Sequence, residues 1–168
     1  MKHYYGKYRG TVKNNIDITN RGRLLVNVPA VMGTTAATWA MPCFPYAGQL
    51  AGTFIIPPIN AAVWVEFEGG NPASPIWVGG FYGTGQSPPM ALAVPPGTQE
   101  YVIQTTLQNV ISVKDVPGPA GGIMLKCGTG AFILINDTGI ILQDGKGGII
   151  TMTAGIVSIN PPNLVVAK

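Results

Sequence analysis

A short repeat in the C-terminal third restricts this chain more than any other sequence feature. Apolar segments of four or five residues alternate with turns rich in Gly, Asp, Asn and Thr, and the segments are 123–127, 132–136, 140–143, 149–153 and 156–160. Their starts are 9, 8, 9 and 7 residues apart. A strand of about five residues followed by a turn of about three predicts a β-solenoid or an intertwined β-helix.

The repeat also predicts an oligomer. Residues 123–160 form a stretch of 38 residues, below the roughly 40 at which a lone segment usually needs a metal, disulfides or oligomerisation to fold. Several segments are apolar at consecutive positions, as in the Phe132 to Ile135 run, so both strand faces carry surface that a monomeric ribbon would expose. Neighbouring copies are expected to cover it. A flat meander packed on the barrel that the N-terminal strands predict is the alternative.

Candidate trimer-interface residues follow if the first apolar position of each strand points inward. A register error of one residue would exchange the two faces. The candidates are Ile123, Leu125, Phe132, Leu134, Ile140, Leu142, Ile149 and Ile156.

Composition predicts β structure with many turns. Gly and Pro number 23 and 15 of 168 residues, but 46% of the chain is hydrophobic, which is enough apolar surface to offset the entropy of ordering. No segment has an apolar period of 3.6 over three turns, so almost no helix is expected. No signal-like segment and no run of about 18 apolar residues occurs, which predicts synthesis in the cytoplasm without a signal peptide.

The first 82 residues read as five short strands separated by turns, the number expected for an OB-fold barrel. Strand counting alone does not separate this fold from an SH3-like barrel. Residues 52–56 are expected to form the third strand. The predicted organisation is a barrel at 1–82, a Pro- and Gly-rich linker with connecting strands at 83–121, and a β-helical needle at 122–168.

Catalytic and metal-binding groups are scarce, so neither an enzyme nor a cofactor is expected. The single histidine, His3, lies near the N-terminus, and Glu66 and Glu68 alternate with apolar residues as an outward strand face does. Asp137 and Asp144 stand in Gly-containing turns, where bonds to nearby backbone are favoured over calcium binding. Cys43 and Cys127 lack metal-ligand spacing and are expected to be buried thiols.

Charge leaves a nucleic-acid hypothesis open. Residues 1–23 carry six basic side chains and one acidic one, Asp17. Aromatic residues alternate with basic ones from Tyr4 to Arg9, a pattern found in OB folds that stack bases. Strand aromatics more often fill a core or a protein interface, so no nucleic acid is expected as partner. A ligand- or nucleic-acid-binding OB module is the alternative function, and a cell-wall hydrolase is the less favoured one.

Specific motifs resemble the central spike proteins of contractile injection systems, which include phage baseplate assembly protein V and the spike portion of valine-glycine repeat protein G. The N-terminal motifs are Tyr8-Arg9-Gly10, Gly22-Arg23, Trp39-Ala40, Pro45-Tyr46-Ala47-Gly48, Val63-Trp64-Val65-Glu66-Phe67-Glu68-Gly69-Gly70 and Pro75-Ile76-Trp77-Val78-Gly79-Gly80. Looser matches follow at Asp115-Val116-Pro117-Gly118, Asn136-Asp137-Thr138-Gly139-Ile140 and Leu164-Val165-Val166.

The resemblance implies an all-β homotrimer in which an OB domain docks beneath a separate hub protein. Three chains would wind their C-terminal strands into a triple-stranded β-helix that pierces the target envelope. Residues 83–121 are too few for the lysozyme domain that some members carry, and the His-x-His motif that binds iron in other members is missing. The resemblance therefore implies a bare spike in a phage tail baseplate or phage-tail-like particle, with a separate tip protein near residues 160–168.

Overall fold

The computed structural model describes residues 2–161 and 163–166. The chain forms two compact units that divide between Gln86 and Ser87. The first unit contains seven strands, which are β1 Tyr8–Asn14, β2 Leu24–Asn27, β3 Thr38–Pro42, β4 Ala47–Gly48, β5 Ala51–Gly52, β6 Ala62–Phe67 and β7 Pro75–Gly80. The second contains eight, which are β8 Glu100–Gln104, β9 Val110–Lys114, β10 Gly122–Lys126, β11 Phe132–Asn136, β12 Gly139–Gln143, β13 Ile149–Thr153, β14 Ile156–Ile159 and β15 Leu164–Val166.

Five strands of the first unit form a closed barrel in the order β1-β2-β3-β7-β6. Each pairing is antiparallel except that of β3 with β7, and this parallel contact closes the barrel. Strand β6 shows the residue alternation that builds the core, because Val63, Val65 and Phe67 are buried while their neighbours are half-buried. The predicted OB-fold barrel is confirmed.

The barrel core is closely packed and small. Val12, Leu24, Val26, Val28, Val63 and Val65 are completely buried. Trp77 completes the core at one end, where its indole Nε1 donates a hydrogen bond of 3.0 Å to the Gly22 carbonyl.

One predicted barrel strand is wrong. The third strand is Thr38–Pro42, whereas of the predicted residues 52–56 only Gly52 lies in a strand, at the end of the short β4–β5 hairpin. Gly52 pairs with Ala47 in that hairpin, and Pro57 and Pro58, which directly follow the predicted residues, lack the backbone N–H that a ladder requires. The expectation of almost no helix is confirmed, since the described residues contain one four-residue helix, Pro29–Met32, and one 3₁₀ turn, Glu68–Gly70.

The second unit is one antiparallel meander in which the eight strands follow their sequence order. The five strands predicted from the repeat are confirmed, and β8 and β9 extend the same sheet back to Glu100. Strands β9 to β14 have a neighbour of the same chain on both edges, so their backbone groups are paired without another chain. This pairing refines the expected intertwined β-helix. The inner strands can contact another copy of the chain only through their side chains. Residues 162, 167 and 168 of the expected needle lie outside the described residues.

Candidate trimer interface

The pairing register decides which side chains share a face of the meander. Residues directly opposite each other on neighbouring strands point to the same side of a sheet. Ile123 pairs with both Val113 and Ile135, and Ile135 pairs with Ile140. Following these pairs from β8 to β15 gives two rows of side chains on one face and three on the other.

One face carries apolar side chains only, and we call it the apolar face. Its fifteen described members are Tyr101, Ile103, Ile111, Val113, Ile123, Leu125, Ile133, Ile135, Ile140, Leu142, Ile150, Met152, Val157, Ile159 and Leu164. Most of them are exposed in the single chain, as Ile123 is at 46%. One row lines an open trough of about 860 Å³. A continuous apolar surface of this length is typical of a protein interface.

The opposite face, which we call the mixed face, carries polar and charged side chains among apolar ones. Lys126, Gln143, Thr151, Thr153 and Ser158 lie on it. At β8 and β9 this face is covered by the segment 87–99. There the Lys114 Nζ donates to the Met90 carbonyl and lies 3.6 Å from a Glu100 carboxylate oxygen. The Gln104 side-chain oxygen accepts a hydrogen bond of 3.0 Å from the Met90 N–H.

The eight candidate interface residues divide equally between the two faces. Ile123, Leu125, Ile140 and Leu142 lie on the apolar face. Phe132, Leu134, Ile149 and Ile156 lie on the mixed face, so the eight do not form one surface. The members of the apolar face in β11, β13 and β14 were not among the predicted residues, and neither were those in β8, β9 and β15.

At each end of the sheet, side-chain hydrogen bonds join one strand connection to the next connection at that same end. The Asn109 side-chain oxygen accepts from the Gly128 N–H at 3.0 Å, and the Asp137 carboxylate accepts from the Gly118 N–H at 2.8 Å. The Asn160 side-chain oxygen accepts from the Ile149 N–H at 2.8 Å. Each bond joins residues 11 or 19 positions apart, and so ties non-adjacent connections of the meander together.

The prediction that both Asp137 and Asp144 bond their own turns holds for Asp144 only, because Asp137 instead accepts from Gly118, 19 residues away. The Asp144 side chain accepts bonds from the Lys146 and Gly148 N–H groups at 2.7 and 2.9 Å. These backbone donors lower the pKa of Asp144. The prediction of a turn role for Asp144 is confirmed.

Groups that could perform chemistry are dispersed over the described residues. His3 lies against Tyr5 and its Nδ1 is 3.3 Å from the Gly69 carbonyl. Glu66 pairs with Lys7 on the outside of the barrel. Within residues 2–161 and 163–166, His, Cys, Asp and Glu side chains nowhere form a group of three that could hold a metal ion. None of the helices in these ranges has the length and hydropathy that a bilayer span requires.

The prediction that both cysteines are buried is wrong. Cys43 and Cys127 are exposed free thiols, because each follows directly after a strand end, where the chain leaves the sheet. The pKa of Cys127 is lowered by the adjacent Thr129 hydroxyl, at 3.2 Å from its Sγ.

Two family models match the chain, one for each unit. The type VI secretion system/phage-baseplate injector OB domain matches residues 8–82. The phage baseplate V C-terminal trimerisation domain matches residues 100–165. A search of curated proteins found no match. The first model covers the closed barrel, and the second covers the meander from the start of β8 into β15.

Proposed function

The chain belongs to the central spike family of phage baseplates and type VI secretion systems, and on that premise we propose that it is a structural spike subunit that acts as a homotrimer. In this proposal the barrel, residues 1–82, docks beneath a separate hub protein. The meander, which includes the needle residues 122–168, forms the part that pierces the target envelope. Residues 83–121 connect the two and contribute β8 and β9 to the sheet.

The observation that carries the proposal is the apolar face. Fifteen apolar side chains on eight strands lie on it without a polar one among the described residues. Full burial of an Ile or Leu side chain stabilises by about 1.5–3 kcal/mol, so covering half-exposed ones yields roughly 1 kcal/mol each. Three chains together would gain on the order of 30 kcal/mol, against two association steps that cost an estimated 4–15 kcal/mol each.

Three copies can bury the apolar face against one another. If each meander contributes one wall of a triangular prism, the three apolar faces meet along the axis and the three mixed faces point outward, to solvent or to the segment 87–99 that covers them at β8 and β9. Threonine, serine, glutamine and lysine on the mixed face are side chains typical of such an outer surface. A closed symmetric arrangement also leaves no apolar face open for further addition of copies.

The proposed mechanism is mechanical and involves no covalent chemistry. Sheath contraction would drive the trimer through the envelope, and the needle must resist bending while it does so. Continuous backbone pairing along the meander and the side-chain bonds between alternate turns supply that stiffness within each chain. Tight apolar packing between chains would couple the three walls.

The particle and its other parts belong to the same proposal. The chain would be a component of a phage tail baseplate or a related injection particle, and it would contact the target envelope only transiently. A separate tip protein is expected at the C-terminal end near residues 160–168, part of which lies outside the described residues.

A deletion and complementation experiment tests this function. Particles assembled without the chain should fail to deliver cargo or permeabilise target cells, and wild-type chain supplied in trans should restore delivery. Purified protein should release no soluble glycan from cell-wall sacculi. Glycan release would favour the hydrolase alternative, and full delivery without the chain would contradict the spike role.

A further inference from the structure

An arginine on the outside of the barrel lies against two aromatic rings. Arg9 of β1 stands directly opposite Trp64 of β6. The Arg9 guanidinium carbon is 5.7 Å from the Trp64 ring centroid and 5.4 Å from that of Phe81. The two rings contact each other, with centroids 4.6 Å apart. We call these three residues the arginine cluster.

The arginine cluster holds a charge that the barrel does not neutralise. The ion pairs among the described residues are Lys7–Glu66, Arg23–Asp17 and Lys114–Glu100, so Arg9 has no carboxylate partner there. Lys13 is a second exposed cation on β1. It follows Arg9 and Thr11 on the outward side of that strand. The neighbouring carboxylate, Glu66, is already paired with Lys7.

The whole formal charge of the chain resides in this unit. Residues 1–86 contain six basic and three acidic side chains, whereas residues 87–168 contain four of each. The formal total is +3. A negatively charged surface on the partner therefore favours its docking on the barrel.

The contacts of Arg9 with the two rings favour one kind of ligand. The five N–H donors of a guanidinium lie in its plane in a fixed fork, and that fork matches a carboxylate bidentately. Contact with aromatic rings restricts the long side chain, so less rotamer entropy is lost on binding. Tryptophan and arginine are also the residue types enriched at interface positions that dominate binding energy.

We propose that the arginine cluster is a docking site for an acidic protein surface, with Arg9 binding a partner carboxylate. The inference rests on the proposed function, in which the partner is the hub. Nucleic acid fits less well, because the Arg9 guanidinium carbon is 5.7 and 5.4 Å from the Trp64 and Phe81 ring centroids and competes for the rings on which a base would stack. A second barrel also fits less well. Of the three acidic residues in this unit, Asp17 and Glu66 are paired within the chain, which leaves Glu68 as the one further carboxylate.

Affinity of full-length protein for the purified hub of the same particle, measured by biolayer interferometry, tests the inference. Arg9→Ala should weaken binding by about tenfold or more, as truncation of a central charged anchor does. Arg9→Lys keeps the charge but loses the planar fork and should also bind more weakly than wild type. Arg21→Ala removes the same charge from an exposed residue of the same unit and should stay within about twofold. Unchanged melting temperatures verify that the variants are folded.

The outcomes separate this inference from the proposed function. If the hub binds wild type and Arg9→Ala equally well, the arginine cluster is not the docking site, although the spike role stands. If wild type does not bind the hub, both proposals fail. A 20-nucleotide single-stranded oligonucleotide is the competing probe. Binding of the oligonucleotide that depends on Arg9, with hub binding unaffected, would overturn the assignment to a protein partner.

Discussion

At the scale of single residues, Asp17 orders the loop between β1 and β2. Its carboxylate accepts hydrogen bonds from the Thr19 N–H and hydroxyl, and from the backbone N–H groups of Arg21 and Arg23. The Arg23 guanidinium adds an ion pair at 2.7 Å and lies over the Trp39 ring. These donors, and the Arg23 side chain above all, hold the pKa of Asp17 well below its usual range. The sequence distinguishes Asp17 only as the single acidic residue of a basic segment, and it does not predict these bonds.

Asp17→Asn should lower the melting temperature at pH 7, because the ion pair and most of the carboxylate bonds are lost. A carboxyl whose pKa is depressed by folding stabilises the protein above its unfolded pKa of about 3.9, and this contribution is lost as pH falls further. The difference between wild type and variant should therefore persist from pH 7 to about 5 and shrink at pH 3. Thermal unfolding followed by circular dichroism measures it.

Glu68→Gln is the matched control for Asp17→Asn. It also removes one carboxylate, but Glu68 forms none of the ion pairs among the described residues. Its melting temperature should equal that of wild type at both pH values. A gap between wild type and Asp17→Asn that grows on acidification would contradict the role assigned to Asp17.

At the scale of elements, the turns of the meander determine which residues share a face. The two-residue turn between β11 and β12 pairs Asn136 with Gly139, so odd positions of β11 and even positions of β12 point the same way. The five-residue turn between β10 and β11 pairs Lys126 with Phe132 and keeps the parity unchanged. Strand positions were predictable from the repeat because apolar runs and turn residues mark them. Facing was not, because it depends on turn length and pairing together.

A usable signal for facing was nevertheless present in the sequence. In β13 and β14, Thr151, Thr153 and Ser158 occupy alternate positions, and these polar residues identify the mixed face. Taking the first apolar residue of each strand as inward placed Ile149 and Ile156 in the interface, although Thr151, Thr153 and Ser158 lie on the same side. Strand β3 was not predicted, because Trp39-Ala40-Met41 lacks a clear alternation of apolar and polar residues.

A charge placed on the apolar face should prevent assembly, whereas the same charge on the mixed face should not. Ile123 and Ile156 are matched for this comparison, because both are isoleucines of the meander with similar exposure, 46% and 40%. Ile123→Asp should yield a monomer by size-exclusion chromatography, since an unpaired buried carboxylate costs several kcal/mol in each of three chains. Ile156→Asp should remain a trimer. The opposite result would place the mixed face inside.

The contact between the segment 87–99 and the sheet gives a second prediction at this scale. Lys114 is buried, with 4% of its side chain exposed, beside Glu100 and the Met90 carbonyl. Lys114→Met should destabilise the unit by up to about 3 kcal/mol, because breaking a buried pair leaves a carboxylate unpaired. Limited proteolysis within 87–99 should be faster than in wild type.

Lys126→Met supplies the control for that experiment. Lys126 lies on the same mixed face but outside the ion pairs of the described residues, so its loss should leave the cleavage rate unchanged. Equal cleavage of wild type and Lys114→Met would mean that the ion pair does not hold the segment on the sheet.

At the scale of the whole molecule, charge and apolar surface are divided between the two units. The barrel carries the net positive charge and a small closed core, whereas the second unit is neutral and presents the apolar face. This division suits a chain that docks through one unit and assembles through the other. The family resemblance and the all-β class followed from motifs and composition, but the apolar face itself required the register.

Solution mass by multi-angle light scattering tests the central claim of trimeric assembly most directly. A trimer should give a particle of about three times the chain mass of 17.6 kDa at micromolar concentration, at low salt and at 1 M salt alike. Salt should have little effect because the apolar face carries no charge that it could screen. A stable monomer of 17.6 kDa under the same conditions would contradict the account.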